Sequence, residues 1–154
     1  MKTERHETGD DRQRMALGPA TPSRMKGDDI AESLLAMAVR GIRVADAMAR
    51  TTAGRHIASQ LLRSVTACGA NYEEARGAES RRDFVHKLAI TRKEAHEARY
   101  WVRLAQAWRL LEGDTDADFV RQLDSICRIL GKSISTARAR ASSDESGATP
   151  VSCL

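Results

Sequence analysis

Apolar residues recur at three- and four-residue intervals through four stretches of this chain, separated by short breaks. That spacing marks amphipathic helices rather than strands. In the first stretch, residues 30–50, Leu34, Ala38, Ile42, Ala45 and Met48 make the expected buried stripe, with Leu35 and Ala49 beside it. Asp29 is the expected N-cap, and Glu32 stands at N3 as the acid of a capping box. The second stretch, residues 52–76, starts behind Thr51 as its cap. Ile57, Leu61, Val65, Cys68, Tyr72 and Ala75 share one face, while Ser59, Arg63, Thr66, Ala67, Ala70 and Glu74 form an opposite face of mostly small residues. Gly77 is expected to stop this helix in the left-handed conformation. The fourth stretch begins at a cap on Asp114 or Thr115 and runs to about residue 140, with Phe119, Leu123, Ile126, Leu130 and Ile134 as its stripe and Cys127 and Ile129 beside them.

The third stretch, residues 81–111, opens behind Ser80 with Asp83 three positions on, a capping pair. At about 1.5 Å per residue it would be roughly 45 Å long. Turning about 100° per residue from Arg92, Phe84, Leu88, Thr91, Ala95, Ala98 and Val102 fall on one side. Ile90, Trp101, Leu104 and Trp108 fall nearly opposite, and Arg92, His96, Arg99 and Arg103 line the gap between. A helix apolar over so wide an arc is either central or has two partners. In so short a chain a second copy is the expected second partner, with Ile90, Trp101, Leu104 and Trp108 as the apolar assembly residues.

The link at Gly77, Ala78 and Glu79 is too short for anything but antiparallel neighbours. The expected fold is all-α, an antiparallel up-down-up-down four-helix bundle over residues 28–141. Residues 1–27 and 142–154, polar and dotted with Gly, Pro and Ser, are read as disordered tails.

Composition narrows the class further. A length of 154 residues fits one domain, and 42% hydrophobic residues suffice for a core. Cys68, Cys127 and Cys153 are an odd number without CxxC or Cys/His spacing, which argues against a disulfide frame or a zinc site and suits a reducing cytoplasm. No secretory leader and no run of membrane-spanning length is visible. A net charge of +4 permits nucleic-acid contact without demanding it.

Candidate chemistry sits on the second and third helices. Lys87, Glu94 and Glu97 lie in or beside the apolar arc of the third helix, and Arg63 and Glu74 lie on the small-residue face of the second. A lone buried charge costs several kcal/mol, so these five are expected to pair across helices or subunits. A carboxylate di-metal bundle needs Glu-x-x-His motifs. Glu94 and His96 are two apart and so on different faces, and Asp83 with His86 stands alone at a cap; no metal and no cofactor is expected. His56 and His86 read as surface or interface residues, and no phosphate-cradling glycine loop or nucleophile–base motif occurs. An acid/base use of Glu94 or Glu97 is the weakest reading. Arg92, His96, Arg99 and Arg103 form either a solvated face or a phosphate-contacting strip, whose binding would be backbone-directed and salt-sensitive.

The segments QLLRS (60–64), GANYEEARGAES (69–80), DFVHKLAI (83–90) and KEAHEARYW (93–101) resemble, in this order and spacing, the bacterial four-helix-bundle proteins also known as large-subunit ribosomal RNA intervening-sequence proteins. The resemblance covers residues 30–140. It implies a small cytoplasmic bundle that assembles as a homopentameric ring and has no catalytic centre. It also implies kinship with the accessory variability determinant of diversity-generating retroelements, a basic pentamer that binds nucleic acid and partners a reverse transcriptase. Arg63, Ser64, Asn71, Glu74, Glu79, Phe84, Lys87, Glu94, Glu97 and Tyr100 match family-typical positions and read as determinants of fold and assembly. The expected function is a non-enzymatic homo-oligomeric scaffold whose basic surface contacts RNA or DNA. The alternative is a protein–protein adaptor that binds no nucleic acid.

Overall fold

The computed structural model describes residues 27–111 and 114–146, without the side chains of residues 114–116 and 141–146. These residues form four helices: α1 (Asp28–Met48), α2 (Thr52–Arg76), α3 (Arg81–Ala107) and α4 (Asp114–Ser146). The expected tails lie outside the described residues, apart from Gly27 and residues 142–146, which prolong α4 past its expected end near Arg140.

Packing follows chain order. α2 lies between α1 and α3, α3 lies between α2 and α4, and the seam between α1 and α4 is thin. Arg40 pins that seam: its guanidinium donates to Asp118 at 2.9 Å and lies 5.1 Å from the centre of the Phe119 ring. The centre is filled by Leu34 and Met37 of α1, Leu61 and Val65 of α2, Leu88 and Val102 of α3, and Phe119, Leu123 and Leu130 of α4, all buried. Cys68 and Cys127 are buried with them. The Cys68 thiol donates to the Thr91 carbonyl at 3.3 Å, and burial pushes its pKa up to about 12.

Three of the departures from the expected helix ends have a clear local reason. α1 begins one residue before Asp29, so Asp28 and Asp29 sit in the first turn, where carboxylates favour the helix dipole. Its cap is Gly27 at φ 96°, whose carbonyl accepts from the amides of Ile30 and Ala31 and from the Tyr72 hydroxyl at 3.1 Å. A side chain at Gly27 would be strained and would meet the Tyr72 oxygen at 2.7 Å. Gly77 closes α2 at φ −89°, outside the left-handed region, so its role there is brevity of the link rather than a left-handed stop.

α3 stops at Ala107, four residues before the expected end at Leu111. The residue beyond its C-cap Trp108 is Arg109, which takes the left-handed conformation at φ 54°. The Arg109 amide bonds the Gln106 carbonyl at 3.0 Å and the Leu110 amide bonds the Ala105 carbonyl at 2.9 Å, the two bonds of a Schellman motif. Leu110 and Leu111 pack back onto the core, which draws the chain out of the helix before any glycine is reached. Thr51 and Ser80 do cap their helices, accepting from the amides of Gly54 at 3.0 Å and Asp83 at 3.1 Å.

Candidate nucleic-acid interface

The stripe of Arg92, His96, Arg99 and Arg103 runs along the edge of α3 that faces α4. Its members are not equivalent. Arg99 donates to Asp124 of α4 at 2.6 Å, so its charge is locally cancelled. The guanidinium of Arg92 lies over Gly131 of α4, close enough that a Cβ there would sit 3.6 Å from its Cζ. His96 is half-buried between them. Desolvation lowers its pKa, Arg92 and Arg99 lower it further, and Asp124 offsets part of that, so the imidazole is neutral at physiological pH. Arg92 and Arg103 are exposed and, among the described residues, make no ion pair. Lys93 on α3 and Arg128 and Lys132 on α4 are also exposed. Among the described residues the edge therefore presents cations without ion-pair partners around one paired arginine and a neutral histidine.

The five charged residues singled out on α2 and α3 meet within one subunit. Arg63 reaches across to α3 and lies 3.6 Å from Glu94 and against Glu97, while Lys87 lies against Glu74. The indole N–H of Trp101 also donates to Glu97 at 3.4 Å. Burial alone would raise the Glu97 pKa, but Arg63 and Trp101 outweigh it and hold the carboxyl below its ordinary value. Glu94 is only 9% exposed, and among the described residues its Oε2 has no hydrogen-bond partner. Among the described residues, Arg63 is the cation paired with it, at ion-pair but not hydrogen-bond range. Among the described residues no group of His, Cys, Asp and Glu is arranged to hold a metal ion. His56 lies edge-on to Trp101 with centroids 5.8 Å apart, and His86 is exposed.

The broad apolar arc of α3 is largely covered by its own bundle. Ile90, Trp101 and Leu104 are half-buried, and Trp101 and Leu104 pack onto the core near α2. Trp108 alone of the four stays exposed, at 65%. The larger uncovered apolar surface lies on α1. Leu35 is 66% exposed, Val39 41% and Ile42 38%, and with Gly69 and Ala70 of α2 they line a shallow groove. Leu35 and Ile42 were expected in or beside the buried stripe, but that stripe is Leu34, Met37, Gly41, Val44, Ala45 and Met48. The adjacent pairs Leu34–Leu35 and Ala38–Val39 were the available signal: neighbouring positions lie about 100° apart, so two apolar faces are encoded. Among the described residues no helix is long and apolar enough to cross a membrane.

Residues 32–132 match the family model described as 23S rRNA-intervening sequence protein. A solved structure from Bacteroides thetaiotaomicron, described as a protein with unknown function from the S23 ribosomal protein family, is 30% identical. The superposition covers 68% of this chain and 97% of that one, with a TM-score of 0.64. No curated protein matches.

Proposed function

From the premise that this chain belongs to the 23S rRNA-intervening sequence protein family, we propose that it is a non-enzymatic homo-oligomeric scaffold whose α3–α4 edge contacts the phosphates of RNA or DNA. The observation that carries this reading is segregation. The exposed apolar groove lies between α1 and α2, and the cations Arg92, Lys93, Arg103, Arg128 and Lys132, which make no ion pair among the described residues, lie on α3 and α4. Because α2 and α3 are the middle pair in the packing order, these two surfaces face different ways. Copies can dock through α1 and α2 while the cations stay in solvent, and repetition around an assembly enlarges the basic field. A homopentameric ring is the assembly the family resemblance favours, and an accessory role beside a reverse transcriptase is the corresponding cellular setting. Engagement of both Glu94 and Glu97 by Arg63 supports the non-enzymatic part of the reading.

The Arg99–Asp124 pair favours the second reading, a protein–protein adaptor, since one stripe arginine is already committed. Two measurements separate them. Light scattering of the parent and of Leu35→Glu/Val39→Glu reads assembly, with the parent larger than one subunit and the variant reduced. A gel shift against structured RNA and single-stranded DNA, titrated with salt, reads nucleic-acid contact. Arg92→Ala/Arg103→Ala is expected to weaken binding and flatten the slope of log K against log salt by roughly 1.5–2. A monomeric parent refutes the scaffold, and salt-independent binding or an unaffected double variant refutes the basic edge.

A further inference from the structure

From Arg92 to Arg109, just past the C-cap of α3, the exposed residues are Arg92, Lys93, Tyr100, Arg103, Ala107, Trp108 and Arg109. Every one except Ala107 is a cation or an aromatic ring. The only carboxylates in that interval are Glu94, which is buried, and Glu97, which faces Arg63. Tyr100 is 58% exposed and Trp108 65%. Ring exposure of this size on a helix otherwise lined by cations is unexplained by packing: the core takes Leu88, Ala95, Ala98 and Val102 from the other side. Tyr100 is held edge-on against Trp101 at 5.0 Å and 72°, so its orientation is fixed while its outer face is free. Beside Trp108 a shallow hollow of about 340 Å³ is lined by Ala53, His56, Ile57, Trp101, Leu104 and Trp108.

We infer that the nucleic acid taken by this surface is single-stranded, with unpaired bases stacking on Tyr100 and Trp108 and the backbone tracked by Arg92, Lys93, Arg103 and Arg109. This rests on the nucleic-acid reading above and narrows it. A duplex hides its base faces and offers these rings nothing, whereas an unpaired strand presents a π-face at every nucleotide. Tyr100 and Trp108 stand about 12 Å apart along the helix axis at 1.5 Å per residue, room for bases more than one nucleotide apart. A second copy of this chain is the competing occupant. A two-fold contact through this face would set arginine against arginine, since such an interface pairs a surface with itself. The charge complements a polyanion.

The test uses the full chain with fluorescently labelled ~20-nucleotide oligo-U and oligo-dT and a hairpin duplex of similar length, a span suited to such grooves. Tyr100→Ala and Trp108→Ala are each expected to weaken single-strand binding about tenfold and to leave duplex binding unchanged. Tyr100→Phe and Trp108→Phe retain the parent affinity, because a ring suffices. The melting temperature and assembled mass of each variant are measured alongside. Equal affinity for the two alanine variants and the parent overturns the inference. So does parent binding as tight to duplex as to single strand. If Arg92→Ala/Arg103→Ala still weakens binding in those cases, the basic-edge function stands and stacking alone falls. If the parent binds neither form at low salt, both fall. A loss of assembled mass in Trp108→Ala or Tyr100→Ala marks the rings as a subunit interface and likewise overturns it.

Discussion

Replacing Arg63 with alanine tests whether the α2–α3 interface depends on a buried ion cluster. Arg63 lies beside two carboxylates, and the nearer to the core, Glu94, is 9% exposed with one oxygen lacking a hydrogen bond. Removing one partner of a fully buried pair costs about 3–5 kcal/mol, mostly because a charge is left without compensation. The Arg63 side chain is 52% exposed and Glu97 27%, so solvent screens the cluster and about 2 kcal/mol is the reasonable expectation. For an ordered domain of about 120 residues the unfolding entropy is roughly 0.25 kcal/mol per degree, so the midpoint falls by about 8 °C. The assay is thermal unfolding followed by circular dichroism at fixed protein concentration, because assembly itself shifts the midpoint. The double variant Arg63→Ala/Glu94→Gln removes the more buried of the two stranded charges and is expected to regain at least half of the loss. The pH dependence has a definite sign. Glu97 has a folded pKa below its ordinary value, so its contribution is complete above the ordinary carboxylate range and is lost as pH falls through the folded value. The gap between parent and Arg63→Ala therefore narrows on acidification. A single variant within 0.5 kcal/mol of the parent, a gap independent of pH, or no recovery in the double variant would each show that Arg63 acts only through its aliphatic packing.

Two backbone predictions accompany it. Gly54→Ala places a Cβ 2.0 Å from the Met48 carbonyl oxygen, where the neighbour is main chain and cannot swing aside, so a loss of about 3 kcal/mol is expected in urea unfolding; an unchanged midpoint would mean that the α1–α2 corner is looser than described. Arg109→Gly relieves a left-handed residue at the end of α3 and is expected to raise stability by about 0.5–1 kcal/mol, read as a melting point a few degrees higher; a fall would show that the arginine side chain contributes more than its backbone costs.

Much of the bundle was legible because the apolar period is long and the caps are chemically explicit. Thr51 and Ser80 are hydroxyl residues directly before periodic runs, and each bonds the amide that the capping rule assigns to it. The stripes of α2 and α4 are buried at the expected positions, from Ile57 to Ala75 and from Phe119 to Ile134. Ends fixed by tertiary contact were not legible. Nothing local marks Arg109 as a left-handed stop; the stop follows from Leu110 and Leu111 finding the core. Likewise Gly27 rather than Asp29 starts α1 because the Tyr72 hydroxyl, contributed by the far end of α2, reaches the Gly27 carbonyl.

The harder matter is which helix carries surplus apolar surface. Counting greasy circumference on α3 alone points to Trp101 and Leu104, yet α3 has two neighbours in its own subunit and both residues pack onto the core. α1 touches α2 along its length and α4 only thinly, so it needs one apolar face but carries two. The decisive quantity is therefore apolar arc minus the arc covered by neighbours, and a sequence reveals only the first. Applied to α3, the same subtraction separates Trp108 from Trp101. Seven positions apart, they lie on nearly one line of the helix, but Trp101 meets His56 and the core, while Trp108 stands at the C-cap with 65% of its surface exposed. The uncovered apolar surface on α1 and α2 is flanked by few cations, and the uncovered rings on α3 by many. That difference in company is the physical reason for assigning subunit contact to the first and a polyanion to the second.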